Sequence, residues 1–334
     1  MANPHIVLYH YAYSPYARRV VWYLTLRGIP YSQCMQPAMM PRPDVSLLGI
    51  AYRRIPIMSI GRDVYLDTRL QLPKLEDLFP ELPRLGATDP DQVALQRLMS
   101  SFTNDSGLFG SAVQLLPTDL PFLQDPAYFR DRGDFVGRTL TAEGMHKARP
   151  EALGAFARAM DFLETSLLAD GRDWVLKTQA PSLADIEAVW PFHWLAGIPG
   201  ALPEERFSPA AYPRVYAWIK RFQDAVSAAR KKAGKPATIS GEEAAKCILS
   251  SRYNEPERAV DEADAVVIAQ GLRRGDVVKV WPTDTGSSGR DVGELVGIDV
   301  GEVVFETGTG DETVRVHAPR HGFRVVKTDA AAKL

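Results

Sequence analysis

The chain has 334 residues, 46% hydrophobic and 24% charged, with a formal net charge of −2. These values describe two or three domains with a real core, and they offer no electrostatic reason to expect nucleic acid or an anionic membrane as a partner. The two cysteines, Cys34 and Cys247, exclude a disulfide-built scaffold. Met1-Ala2-Asn3-Pro4-His5 lacks the basic start and apolar run of a secretory signal, and no stretch approaches the ~20 apolar residues of a membrane helix. The expected setting is a reducing cytoplasm.

The first segment, 1–82, alternates strand and helix signals. Ile6 to His10 is a short β-rich run, after which Ser14-Pro15 opens a helix with a hydroxyl at the N-cap and proline at the first helical position. Val20, Val21, Leu24 and Leu26 give that helix an apolar face, and Gly28 closes it. Pro30 to Cys34 reads as a second strand, with Cys34 an inert core thiol, and the Pro- and Met-rich stretch 37–43 as irregular. Ile57 to Ile60 and Val64 to Leu66 form a hairpin about Gly61-Arg62-Asp63, and Asp67 caps a helix running to about Phe79. The order is βαβ, a loop element, then ββα.

The second segment, 88–236, is helical in period. Gln92 to Leu116, Glu151 to Leu168, Leu183 to Leu195 and Pro213 to Lys232 carry apolar residues at spacings of three and four. The Pro-, Asp- and Gly-rich stretch 117–149 is expected to be an irregular insertion, and the basic stretch 228–236 a frayed helix end and linker. In the third segment, 237–334, a short helix near Glu242 to Ser250 precedes short strands: Asp276 to Trp281, Val292 to Ile298, Val303 to Glu306, Thr313 to Val316 and Phe323 to Val326. Their spacing predicts a small antiparallel barrel or sandwich, with Thr307-Gly308-Thr309-Gly310 as a hairpin turn. His317 and His321 are too few for a metal site.

Three short motifs carry chemistry. A thiol ionises near pH 8.5; lowering that by about 2 units takes roughly 2.7 kcal/mol of thiolate stabilisation, which a hydroxyl at a helix N-terminus can help to supply. Ser14 occupies such a place. Arg54-Ile55-Pro56 precedes the hairpin, where a cis proline would leave the backbone of Ile55 free to pair with an extended peptide. Asp67-Thr68 puts an acid and a hydroxyl at a helix start, suited to the ammonium and carboxylate of an amino acid. Each alone is equally a cap, an edge proline or an N-cap.

Together, Ser14-Pro15-Tyr16-Ala17-Arg18-Arg19-Val20, Arg54-Ile55-Pro56, Asp67-Thr68 and Ala180-Pro181-Ser182-Leu183-Ala184-Asp185-Ile186 resemble the glutathione transferase family, above all the fungal and plant-type members with a serine at the thiol. The resemblance covers roughly residues 5–232. It implies a multidomain fold, α/β then all-α then β: a thioredoxin-like glutathione-binding domain, the family's all-helical C-terminal-type domain, and an additional β-rich unit. It implies that Ser14 hydrogen-bonds the glutathione thiolate, that Ile55 before cis Pro56 pairs with the cysteinyl residue, that Asp67 and Thr68 hold the γ-glutamyl end, and that Arg54 lies near the glycyl carboxylate. Ser182 and Asp185 would be the buried capping box of the helical domain, and Arg18 and Arg53 surface or structural residues. The family's Glu-Ser pair is Asp-Thr here, one methylene shorter at the acid. Tyr11 and Tyr13 are alternatives to Ser14 at the thiol, and the absence of a cysteine there argues against mixed-disulfide chemistry.

The implied function is attack of glutathione on a small apolar electrophile, by conjugation or by glutathione-dependent isomerisation or elimination. The alternative is a non-catalytic binding or regulatory protein on the same fold. Phe102, Phe109, Trp190, His193 and Trp194 are candidate liners for the electrophile, although aromatic residues at helical spacing more often form core. A homodimer is one arrangement considered. The third segment could shield the mouth of the site, replace a dimer contact or dock a partner.

Overall fold

The computed structural model describes residues 5–310 and 312–328; Met1 to Pro4, read above for a leader signal, lie outside them. The first segment comprises β1 (Ile6–His10), α1 (Pro15–Arg27), β2 (Ser32–Met35), α2 (Pro43–Ser46), β3 (Ile57–Ile60), β4 (Asp63–Leu66) and α3 (Thr68–Leu78). β1 pairs parallel to β2 and antiparallel to β3, and β3 antiparallel to β4, a thioredoxin-type arrangement. β1 is buried along its whole length because the sheet is covered on both faces. Its even-numbered residues Ile6 and Leu8 join the core with α1, α3 and the helical segment, while Val7 and Tyr9 face the other side.

The helical segment contains α4 (Pro90–Asn104), α5 (Leu108–Gln114), α6 (Pro126–Val136), α7 (Ala142–Phe162), α8 (Leu183–Ala196) and α9 (Pro213–Ala233). Two expectations change. The span Gln92 to Leu116 is two helices, broken at Gly107, which takes φ +81. The stretch 117–149 is largely helical, holding α6 and the start of α7. Asp125 caps α6 through the Ala127 N–H at 2.8 Å, and Thr141 caps α7 through the Gly144 N–H at 3.0 Å. The same Asp, Pro and Thr residues that read as loop composition are N-terminal helix signals. As expected, Asp185 and Ser182 form a buried capping box, and Asp185 also accepts hydrogen bonds from the Val175 N–H and Trp218 Nε1, each at 2.9 Å. Among the described residues no helix is long and apolar enough to cross a membrane.

The third segment holds β5 (Ala237–Thr238), α10 (Gly241–Leu249), α11 (Ala265–Gln270), β6 (Val277–Pro282), β7 (Asp291–Ile298), β8 (Glu302–Thr309), β9 (Glu312–Pro319) and β10 (Phe323–Lys327). All five expected strands are present, and they do not stand apart as a separate sheet. They extend the first sheet into a ten-stranded one, in the order β10-β6-β7-β8-β9-β4-β3-β1-β2-β5. β9 lies parallel to β4, and β5 adds to the far edge along β2, so the third segment grips the first from both sides. α10 and α11 contribute to the core on the face opposite α1. β8 runs on through Thr309, which moves the hairpin turn to Gly310, at φ +61.

The β4–β9 seam carries a buried polar network. His317 Nε2 lies 2.9 Å from Asp63 Oδ1 and its Nδ1 3.2 Å from Glu302 Oε2, while the ring stacks on Tyr65 at 4.7 Å. Lys74 Nζ donates to Glu255 at 2.6 Å and Glu302 at 3.0 Å, and the Tyr65 hydroxyl donates to Glu255 at 2.6 Å. Burial alone would lower the His317 pKa, but its bonds to Asp63 and Glu302 outweigh that and raise it above 6.5. Burial would raise Glu302, yet His317 and Lys74 hold it down at about 2.

His317→Gln should therefore destabilise the chain by about 3 kcal/mol at pH 6, where the charged imidazolium is lost from between two carboxylates. Because a raised histidine pKa gives stability that is full below its unfolded value and lost as pH rises through the folded one, the difference from wild type should shrink on going to alkaline pH. Urea denaturation of both chains across pH 6 to 9 checks this; a constant or widening difference contradicts a charged His317.

Candidate functional site

Ser14 is the N-cap of α1. Its Oγ accepts the N–H of Ala17, the third helical residue, at 3.2 Å, and the turn is closed by the Ser14 N–H on Tyr11 O at 3.0 Å. No acceptor among the described residues takes the Ser14 hydroxyl proton, although the residue is only 2% exposed. The Ile55–Pro56 bond is cis, as expected. Ile55 lies just before β3 and makes no backbone hydrogen bond within the described residues, so its N–H and C=O are unpaired.

Asp67 caps α3 with Oδ1 on the Arg69 N–H at 2.9 Å, while its own backbone takes φ +65, ψ 137. A non-glycine residue in that region costs of order 1–3 kcal/mol, and such strain persists where the surroundings over-determine it. Here Asp67 Oδ2 is held by Arg54 at 3.2 Å and Arg69 at 3.3 Å. Thr68 is buried, and its Oγ1 accepts Arg19 Nη1 at 2.7 Å. The Tyr16 hydroxyl is pushed up to about 12, chiefly by burial, in the field of Arg19, Asp67, Arg69 and Arg54, and so remains a neutral donor. Tyr11 and Tyr13 pack against each other at 4.9 Å, with Tyr13 55% exposed.

Arg54 is committed within the chain. Its Nε and Nη2 donate to Thr285 O at 2.9 and 2.6 Å, its Nη1 to Asp67, and its Nη2 pairs with Asp284. Arg53 is structural, as expected, pairing with Asp131 at 2.8 Å and with Asp134 of α6. The loop 283–290 thus lies across the arginines, and α6 closes over the same edge. Gly286 N–H donates to Phe135 O at 2.6 Å, and Ser288 Oγ to Asp134 at 2.9 Å.

Of the expected apolar liners, Phe109 and Trp190 pack around Tyr16 at 4.9 and 4.8 Å, and Trp194 stands 5.8 Å from Phe109. Phe102 turns away to Phe162 at 5.3 Å. His193 packs on Trp22 and hydrogen-bonds Gln223 at 2.6 Å, and burial lowers its pKa; it is a packed residue. Cys34 is buried on β2, where burial and then Asp44 push its thiol up to about 12, an inert state. Sequence reasoning missed Arg19. Fully buried, it pairs with Glu187 of α8 and donates to Asn104 of α4 at 3.0 Å as well as to Thr68, joining four helices beneath the site. The available signal was a pair of charges, Arg19 and Glu187, set within otherwise apolar helical faces.

Residues 8–83 match the family model described as the glutathione S-transferase N-terminal domain, and residues 111–231 match a domain of unknown function, DUF7962. No curated protein matches the chain. A GST-like protein from Pseudomonas syringae is similar over 98% of this chain and 100% of its own, with 24% identity and a TM-score of 0.71. The beta-etherase LigF from Sphingobium sp. strain SYK-6 is 16% identical over 68% of this chain and 99% of its own, with a TM-score of 0.52. Rice GST1, solved in complex with glutathione, is 18% identical over 73% of this chain and 96% of its own, with a TM-score of 0.51. The first segment is thus a glutathione S-transferase-type thioredoxin domain, and the P. syringae protein shares the fold across all three segments.

The Arg19 junction gives a direct expectation. Arg19→Met should lower stability by about 3 kcal/mol, because Glu187 is left as an uncompensated buried charge. The double variant Arg19→Met with Glu187→Gln should recover part of that loss. Equilibrium urea unfolding of the three chains measures both effects, and a neutral single variant would show that the junction contributes nothing.

Proposed function

We propose that this chain binds reduced glutathione across the N-termini of α1 and α3 and stabilises its thiolate with Ser14 for attack on a small electrophile. The carrying observation is Ser14 itself: a helix N-cap hydroxyl with its proton uncommitted, on a glutathione S-transferase-type N-terminal domain. An O–H donor and the positive end of a 13-residue helix both favour thiolate over thiol. The unpaired backbone of Ile55 before cis Pro56 suits the cysteinyl residue as an added strand. Asp67, held in a strained conformation, and Thr68 suit the γ-glutamyl end. The α3 N-terminus lies beside them, where a carboxylate gains from the unpaired Thr68 N–H and the positive end of the helix.

Conjugation is the default reaction, and glutathione-dependent isomerisation or elimination would use the same residues. The electrophile would meet Tyr16, Phe109 and Trp194, an apolar wall beside α1. The glutathione bound in the rice structure lends support at the level of the fold.

Titration calorimetry with reduced glutathione should give binding in the micromolar to millimolar range. Ser14→Ala should keep most of that affinity, because the ends of the tripeptide are held elsewhere, while turnover at pH 7 falls by up to about 25-fold, the drop in thiolate fraction as the thiol pKa returns from about 6.5 towards about 8.5. Its rate should recover as pH approaches that of a free thiol, near 8.5. Unchanged turnover in Ser14→Ala would transfer the role to Tyr11 or Tyr13.

A further inference from the structure

The loop joining β6 to β7 comes from the third segment, yet its polar groups are spent on the first. Its base is tied down at both ends. Thr283 N–H donates to Gly322 O at 2.9 Å, and Asp291 Oδ1 accepts the N–H groups of Ala51 at 2.6 Å and Tyr52 at 3.3 Å. Between these anchors, glycines permit an approach that side chains would block. A Cβ on Gly289 would stand 2.5 Å from Ala51 O, and Gly286, at φ +71, lies against the side chains of Arg53 and Arg54. The backbone is therefore fixed, and what it presents to Arg54 is a carboxylate, that of Asp284.

A guanidinium has five N–H donors. In Arg54 the bonds to Thr285 O, Asp67 and Asp284 use four of them, leaving one on Nη1. An incoming carboxylate cannot form the two parallel bonds of a fork on this arginine while Asp284 stays. Nor is Asp284 held firmly. Its side chain is 60% exposed against 13% for Arg54, and an ion pair open to water on one side is weak. Rotation of this one side chain, with no backbone movement, would free an Nη2 N–H beside the open one on Nη1, while the bonds to Thr285 O and Asp67 stay.

We infer that Asp284 is an internal competitor: at Arg54 its carboxylate stands where the free carboxylate of a tripeptide thiol binds, so that ligand binding exchanges one carboxylate for another. The inference rests on the glutathione reading above. It makes the third segment part of the binding equilibrium, selecting for ligands that carry a carboxylate of their own at that end. A thiol lacking one would leave Asp284 in place and gain nothing from Arg54.

The test is calorimetry on the full chain and on Asp284→Ala and Asp284→Asn, with reduced glutathione and with its glycyl monoethyl ester as the two probes. Circular dichroism verifies that the exposed substitutions keep the fold. Both variants should bind glutathione about two- to fivefold tighter than wild type, the range set by an exposed ion pair. The ester, whose glycyl carboxylate is blocked while its γ-glutamyl carboxylate remains, should show no such gain. Equal or weaker glutathione binding by both variants, or a gain shared by the ester, overturns the competitor role while wild-type binding leaves the glutathione reading intact. Failure of all three chains to bind either probe removes that reading, and the inference with it.

Discussion

The pairing of β9 with β4 is the constraint on which the rest of the molecule depends. It converts a four-stranded thioredoxin-type sheet into the middle of a ten-stranded one, and it does so around a buried histidine set between two carboxylates. Charged groups at such depth are tolerated only when fully partnered. Asp63 accordingly accepts the Glu255 N–H at 3.0 Å and that of Asn254 as well as bonding His317, and Glu302 meets Lys74 and Arg258. Register follows from this set of contacts: a slip of one residue would turn His317 into the apolar core and Val316 into the network.

With register fixed, the placement of the site follows. The third segment wraps the sheet from its β2 edge to its β4 edge and leaves the β6–β7 loop over the arginines before β3. On the opposite face Arg19 ties α1 and α3 to α4 and α8, so the two helix N-termini of the site are set relative to one another by a single buried guanidinium. Ser14, Ile55, Asp67 and Thr68 come from three places in the first segment, and every one of them sits at an element boundary: a cap, a strand entry or a helix start. Boundaries are where backbone groups are unpaired, which is why binding chemistry gathers there.

That same fact explains what the sequence disclosed. Ser14-Pro15, Ile55-Pro56, Asp67-Thr68 and Ser182 with Asp185 were legible because caps and cis prolines are local devices, written within a few residues. The strands of the third segment were legible for a similar reason, through their alternation and turns. Their destination was not. Parallel pairing between β4 and β9 leaves no local signature, so antiparallel neighbours read as a closed unit of their own. His317, too solitary to suggest a metal site, acquires its meaning only from Asp63, Glu302 and Lys74, residues scattered through two segments. Arg54 was recognised as a cation at the site, but not that Asp284 would already stand against it. In the stretch 117–149, composition concealed helices whose caps are made of the residues usually taken to mark loops.

The length of the loop between the two seam strands carries a consequence for how the chain is made. Asp63 and His317 are separated by 254 positions. At a synthesis rate of about 5–20 residues per second, the first segment waits outside the ribosome for roughly 10 to 50 seconds before its partner strand exists. Through that interval β4 presents a bare edge, the kind of template on which other chains can pair. Contacts of such long range also fold slowly, since the closure of the intervening chain precedes any gain from the seam. The finished sheet thus depends on its last-made strands, and the nascent chain's exposure to chaperones and to misassembly is greatest just before β9 emerges.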